Sequence, residues 1–256
     1  MLVLSLWWSE LFPSDTMFVT GVGPNTRMID INSMRSSLGS ERVNAILGLH
    51  ALSGCDVTGC LAGKGKASFW KAFQISESCV LASLGRLGCQ ETFTNDDKQL
   101  IEKFICQVYL PNTKIADIGE LRWYMFTKKD TQSENLPPTK AALTPYMLRA
   151  HYQVMEWKRS NNPHPNLPDP SHFGWDIAKD SNYTPVLCNL PCAPKSVLVL
   201  VKCSCIKGQC AVNCKCKKKQ SLRCTKLCKC GGDEDICKNG EIEDDETCQW
   251  DSEDEL

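Results

Sequence analysis

Cys203-Ser-Cys205-Ile-Lys-Gly-Gln-Cys210, Cys214-Lys-Cys216, Cys224-Thr-Lys-Leu-Cys228-Lys-Cys230 and Cys237 bring nine of the chain's 17 cysteines into one short segment. Three C-x-C pairs lie inside it. Thiolates two residues apart can face neighbouring metal ions, and tetrahedral Zn²⁺ takes four ligands at about 2.3 Å. Nine sulfurs therefore satisfy two separate ions with one sulfur over, or three ions if some sulfurs are shared. Three tetrahedral ions present roughly twelve coordination positions, which six terminal and three bridging thiolates supply. This arithmetic favours three Zn²⁺ in one cluster. A disulfide framework would need an oxidising compartment and an even cysteine count within the module, and the sequence indicates neither.

Working outward, the 256 residues allow a medium domain with its own core beside this small module. The formal charge of −1 hides a dipolar chain: Asp233 to Leu256 hold twelve acidic residues against Lys238 alone. The run after Glu241 reads as a disordered, solvated tail over residues 240–256. The first residues, Met-Leu-Val-Leu-Ser-Leu-Trp-Trp-Ser-Glu, lack a basic leader region and meet a charge too early for a secretory signal or membrane span. The expectation is a soluble, intracellular protein without a membrane partner, in a reducing compartment that keeps thiolates available for metal.

The first six residues read as a buried strand, Met17 to Thr20 as a second and Arg27 to Ile31 as a third, with Gly21, Gly23 and Pro24 in the turn between the last two. Ser40 then stands where a helix N-cap belongs. Val43, Ile46, Leu47 and His50 or Ala51 recur at helical spacing, and Gly54 occupies a C-cap position. Further helical stripes run from about Asp96 to Tyr109, Ile118 to Phe126 and Thr144 to Lys158. From Asn161 to Pro194 seven prolines predict a surface linker. Trp175 and Tyr183 within it suggest that the linker is pinned rather than loose.

The cysteine segment resembles the tesmin-type CXC domain over about Lys202 to Asn239, the motif closing on Cys237-Lys-Asn239. The resemblance implies three zinc ions held by Cys203, Cys205, Cys210, Cys214, Cys216, Cys224, Cys228, Cys230 and Cys237, with DNA as partner. It departs from the family at Asn213, where an aromatic is usual, in a gap one residue shorter, and in carrying one copy. Charge bears on the DNA reading independently. Nine thiolates, three Zn²⁺ and the basic and acidic residues between Lys202 and Lys238 leave the module near +4. Lys215, Lys217, Lys218, Lys219, Arg223, Lys226 and Lys229 could neutralise phosphates, giving salt-sensitive affinity. The alternative is that they only offset the cluster's own charge, as in a metallothionein-like metal-buffering module.

A second informative stretch is Leu49-His-Ala-Leu-Ser-Gly-Cys-Asp56-Val-Thr-Gly-Cys60, followed by Gly63-Lys-Gly-Lys66 and a helical pattern. Backbone N–H groups and Lys64 and Lys66 at such a turn could receive a phosphate. With the Gly-Cys-Asp, the stretch resembles the helix-hairpin-helix region of the flap-endonuclease-like branch of the PIN nuclease superfamily, in a mobile-element-like animal group. The resemblance extends from Arg27-Met-Ile-Asp-Ile31 to Trp157. It implies that Asp56 belongs to a carboxylate cluster for two divalent cations, Mg²⁺ if the nuclease reading holds. Two-metal hydrolysis needs several converging carboxylates, and the remainder of that cluster is expected upstream of Met1; Asp15 and Asp30 lack the family motif. His50 reads as a core histidine, and no Ser-His-Asp, Cys-His or phosphate-loop arrangement indicates a small-molecule substrate.

The sequence thus predicts a mixed α/β chain: a mostly helical, nuclease-like remnant domain over residues 1–160, a Pro-rich linker over 161–196, a small irregular zinc-cluster domain over 197–239, and the acidic tail. The predicted function is zinc binding with DNA binding in the nucleus, beside a catalytically incomplete nuclease-like domain. A fragment of a Mg²⁺-dependent structure-selective nuclease and the metal buffer are the alternatives.

Overall fold

The computed structural model describes residues 1–55, 57–129, 131–178 and 182–190, and in the C-terminal segment Cys203, Cys205, Cys210, Cys214, Cys216, Cys224, Cys228, Lys229, Cys230, Cys237 and Asn239. Two compact units divide the chain, Met1–Leu190 and Pro191–Leu256. The first is predominantly helical with two small antiparallel sheets, a mixed α/β arrangement. No helix among the described residues is long and apolar enough to cross a membrane.

The N-terminal expectation of a strand fails. Leu2–Trp7 is helix α1, with Leu6 buried and Leu2, Val3, Leu4 and Trp7 packed on the core. A short run of nearly uninterrupted apolar residues fits either period, and packing against a helical neighbour decided it. The predicted hairpin does form. Strands β1 (Met17–Thr20) and β2 (Arg27–Asp30) pair antiparallel, Met17 opposite Asp30 and Thr20 opposite Arg27. Gly21 at φ +87° begins their turn, where a Cβ would lie 2.2 Å from the Asn25 carbonyl oxygen.

Helix α2 (Ile31–Leu38) follows directly, capped by Asp30, whose carboxylate accepts from the N–H groups of Asn32 and Ser33. Its presence moves the next boundary. Gly39, not Ser40, is the N-cap of helix α3 (Ser40–Leu52). Helix α3 runs through the middle of the unit, with Val43, Ala45, Ile46, Leu47, Leu49, Ala51 and Leu52 all buried. Helix α5 (Ser78–Arg86) crosses it closely: a Cβ on Gly48 would sit 2.5 Å from the Leu84 carbonyl oxygen. Helices α4 (Lys66–Gln74) and α6 (Asn95–Tyr109) meet through Phe69 and Phe104, both fully buried with ring centroids 6.0 Å apart. Helix α7 (Ile118–Lys128) adds Ile118 and Leu121 to the same core.

Helix α8 (Lys140–Lys158) begins four residues before the predicted Thr144 because Thr139 caps it, accepting from the Ala142 N–H. Pro145 lies inside and has no N–H for the Ala141 carbonyl. The Asn189 N–H, from the proline-rich stretch, bonds that carbonyl at 3.1 Å. Arg149 of α8, itself buried, donates to the carbonyls of Gly174 (3.0 Å) and Val186 (2.6 Å) and lies over the Trp175 ring. The described part of the predicted linker is thus a short 3₁₀ turn (Pro170–Phe173) and a hairpin of β3 (Trp175–Ile177) with β4 (Tyr183–Pro185), fastened along α8. Proline removes donors from this segment; the Gly174 and Val186 carbonyls and the Asn189 N–H bond to α8.

Candidate metal centre

In the second unit every one of the nine cysteines is buried or, for Cys205, half-buried, and none is joined in a disulfide. Their sulfurs are close. Cys203 Sγ lies 3.9 Å from Cys210 Sγ, 3.8 Å from Cys224 Sγ and 3.8 Å from Cys230 Sγ; Cys214 and Cys224 are 3.4 Å apart, Cys216 and Cys228 3.7 Å. A tetrahedron with metal–sulfur bonds of ~2.3 Å has an S···S edge of about 3.8 Å. A disulfide would bring two sulfurs to about 2.05 Å. The spacing is that of ligands around an ion.

Four sulfur quartets have all members within 4.8 Å of one another: Cys203, Cys224, Cys228 and Cys230; Cys203, Cys205, Cys210 and Cys214; Cys203, Cys214, Cys216 and Cys224; and Cys210, Cys224, Cys230 and Cys237. All nine predicted ligands occur in these quartets, and the quartets interpenetrate. Cys203 and Cys224 each belong to three of them. The cysteine groups are therefore placed to hold metal.

Backbone contacts hold the two central sulfurs. The Lys229 N–H donates to the Cys203 carbonyl, and the Cys203 N–H points to Cys228 Sγ at 3.5 Å. The Cys224 N–H donates to the Asn239 carbonyl, while Asn239 Nδ2 donates to Cys224 Sγ at 3.4 Å. Asn239 thus closes the module from both its backbone and its side chain. Its place in the motif was visible in the sequence, but this pairing with Cys224, fifteen residues earlier, was not.

Without a cation the sulfurs are held as neutral thiols. Burial, followed by contacts from neighbouring thiols, pushes the Cys216 thiol up to about 12, and burial likewise raises Cys203, Cys205, Cys210 and Cys224. Crowded sulfurs away from water resist becoming anions alone, whereas a bound divalent ion supplies compensating charge and deprotonates its thiol ligands.

Among the described residues the remaining cysteines are not part of this set. Cys106 is buried in α6, its thiol held at about 12 by burial and by the nearby carboxylates of Glu102, Asp117 and Glu120. Cys55 is half-buried against Thr58, and Cys60, Cys79, Cys89 and Cys188 are exposed.

The nucleic-acid candidates are distributed differently. Lys229 is exposed beside the cluster. Lys215, Lys217, Lys218, Lys219, Arg223, Lys226 and Asp56 lie outside the described residues, as does the acidic tail. In the first unit, Gly63 at φ +65° makes the tight turn from Leu61 to Lys64 that leads into α4. Lys64 Nζ turns inward there, donating to the Tyr109 carbonyl at 3.4 Å and lying 5.3 Å from the Tyr109 ring centroid. Lys66 is exposed and borders, with His50, Cys55, Val57 and Trp157, a cavity of about 400 Å³. His50 stacks on Trp157 with centroids 5.2 Å apart. Of the two lysines, Lys66 is the one that faces solvent.

No family model, no curated protein and no solved structure matches this chain.

Proposed function

We propose that the C-terminal unit is a polynuclear zinc–thiolate centre in which three Zn²⁺ are shared among nine cysteines. The sharing of Cys203 and Cys224 among three sulfur quartets each carries this reading. Separate mononuclear sites would divide the sulfurs into quartets without common members. In the proposed cluster each bridging sulfur serves two ions, and Cys203 and Cys224, the most widely shared sulfurs, are the first candidates for bridges. Zinc fits the donor set because buried thiolates at tetrahedral spacing suit a borderline-soft ion without redox chemistry.

The module's function, on this reading, is to present a rigid basic surface to DNA phosphates in the nucleus. Its surplus of lysine after the thiolates are counted supports that step. The helical unit is read as a flap-endonuclease-like remnant that contributes the Lys66 turn and no hydrolysis. Native mass spectrometry of the full chain, with and without duplex DNA, tests both steps. Three Zn²⁺ per chain and a DNA affinity that falls steeply with salt are expected. Two Zn²⁺ would refute the shared cluster, and three Zn²⁺ without DNA affinity would leave a metal-buffering module.

A further inference from the structure

Helix α8 ends at Lys158, and the Lys158 ammonium is held by the end of α5. Its Nζ donates to the carbonyls of Gly85 (2.6 Å) and Leu87 (2.7 Å) and stands over the Trp7 ring at 5.6 Å. Terminal helix carbonyls lack intrahelical partners, and a lysine is a suitable donor for them. The third neighbour is unusual. Cys89 Sγ lies 3.0 Å from the same nitrogen. Cys89 is exposed, and Cys89, Arg86, Lys158 and Trp7 border a cavity of about 440 Å³. A small oxidant can therefore reach the sulfur, while the amine is already anchored beside it.

We propose that Cys89 and Lys158 form a peroxide-dependent sulfenamide cross-link. In the first step a hydroperoxide transfers oxygen to Cys89. The O–O bond breaks, an S–O bond forms, sulfur loses two electrons to the peroxide, and one water or alcohol leaves. In the second step Lys158, after losing its extra proton to solvent, attacks the sulfenic sulfur. The N–S bond forms, the S–O bond breaks, and the departing hydroxide takes one of the two amine protons and leaves as water, so that the sulfenamide keeps a single N–H. Condensation of a sulfenic acid with a nitrogen is a known branch of cysteine oxidation, and it prevents the irreversible steps to sulfinic and sulfonic acid. The bond would tie the turn after α5 to the end of α8, residues 69 positions apart in sequence, and an added thiol would reopen it.

Two other exposed cysteines serve as internal comparisons. Cys79 Sγ faces the Glu77 carboxylate at 3.6 Å, and Cys60 is exposed on the segment before the Leu61–Lys64 turn. The Glu77 carboxylate also takes the Lys103 ammonium, at 3.0 Å, so it stands between that amine and Cys79 as the hydrogen-bond partner of both.

The test treats the zinc-loaded full chain with limiting hydrogen peroxide, digests it with trypsin without reductant, and maps the peptides by mass. The expected product joins the Cys89 and Lys158 peptides, is lighter than their sum by two hydrogens, resists cleavage after Lys158, and disappears on adding dithiothreitol. Cys89→Ser should abolish it. Lys158→Arg keeps the cation and its carbonyl contacts but lacks the amine, so Cys89 labelling by a sulfenic-acid-trapping diketone should rise several-fold. Cys89 oxidised in the wild-type chain without a joined peptide would overturn the proposal. So would equal diketone labelling in wild type and Lys158→Arg, or a Cys89 less reactive than Cys60 and Cys79.

Discussion

The unit Met1–Leu190 and the unit Pro191–Leu256 both enclose a core, but one is made of carbon and the other of sulfur. In the first, Phe69, Phe73, Phe104, Ile101 and Leu47 are sealed from water among many others, so cohesion is spread over a large number of weak contacts. In the second, the buried cluster among the described residues consists of cysteines. Ordinary apolar burial by small thiols contributes little, and on the proposed reading the cohesion would be concentrated in a few metal–ligand bonds. A distributed core tolerates the loss of one contact. A coordinated one would depend on its ions, because an apparent ~10–16 kcal/mol of structural zinc binding is folding free energy.

The largest expected effect follows directly. Stripping metal with a strong chelator should abolish the ordered state of the cysteine unit and leave the helical unit's thermal transition in place. Circular dichroism and calorimetry of the full chain should show one transition lost and one retained. A common shift of both would break the comparison.

The converse perturbation is smaller. Phe104→Ala removes a fully buried ring that meets Phe69 and should cost the helical unit about 3–5 kcal/mol. Zinc stoichiometry should not change; coupled loss of metal and helix would show that the two cores are one cooperative system.

The smallest effect is a pH dependence confined to the helical unit. His151 of α8 is 1% exposed, stacked between Phe93 and Phe173. Its Nδ1 accepts from the Gly88 N–H, and its Nε2 faces the Gln90 carbonyl at 2.9 Å, so the ring is held neutral with the proton on Nε2. Burial is the main cause that puts its pKa below the ordinary 6.5; the Gln90 carbonyl opposes this and Lys158 adds to it. The unfolded chain therefore binds the proton first. Stability is complete above pH 6.5 and falls as pH drops below it, with a slope of at most about 1.4 kcal/mol per pH unit, until the folded-state value is passed. Asp97 and Asp117 act in a separate window. Burial raises Asp97, but hydrogen bonds from Arg86, Thr94 and Ser83 outweigh it, and Lys140 lowers Asp117, so their contributions are lost only below about 3.8. Urea titrations between pH 5 and 7 should show the slope in the wild type and its loss in His151→Gln.

Legibility in the sequence followed the range of the interactions. Helices α6 and α7 could be placed closely because their apolar stripes are local signals; the caps Thr94 and Asp117, which fix their starts, went unread. The β1–β2 hairpin was equally legible through Gly21, Gly23 and Pro24. Helix α1 was misread because Met1 to Leu6 suits either period, and α2 and α5 were not anticipated at all. Their short amphipathic runs make sense only against α3, which they cover. The proline-rich stretch was read as a linker because its composition lacks donors. What it does is complete α8, Asn189 reaching the carbonyl that Pro145 leaves open.

For the site, the sequence by itself determined the candidate ligand set, since the spacing of nine cysteines limits which chemistry can use them. Tertiary structure alone decided which sulfurs are common to several quartets, that Asn239 donates to Cys224, and that Lys64 turns to Tyr109 while Lys66 faces solvent. It also decided the meeting of Cys89 with Lys158. The physical reason is the same in each case. Residue type and short spacing set what a side chain can bind, but neighbours far apart in sequence are chosen by the packing that closes the chain around them.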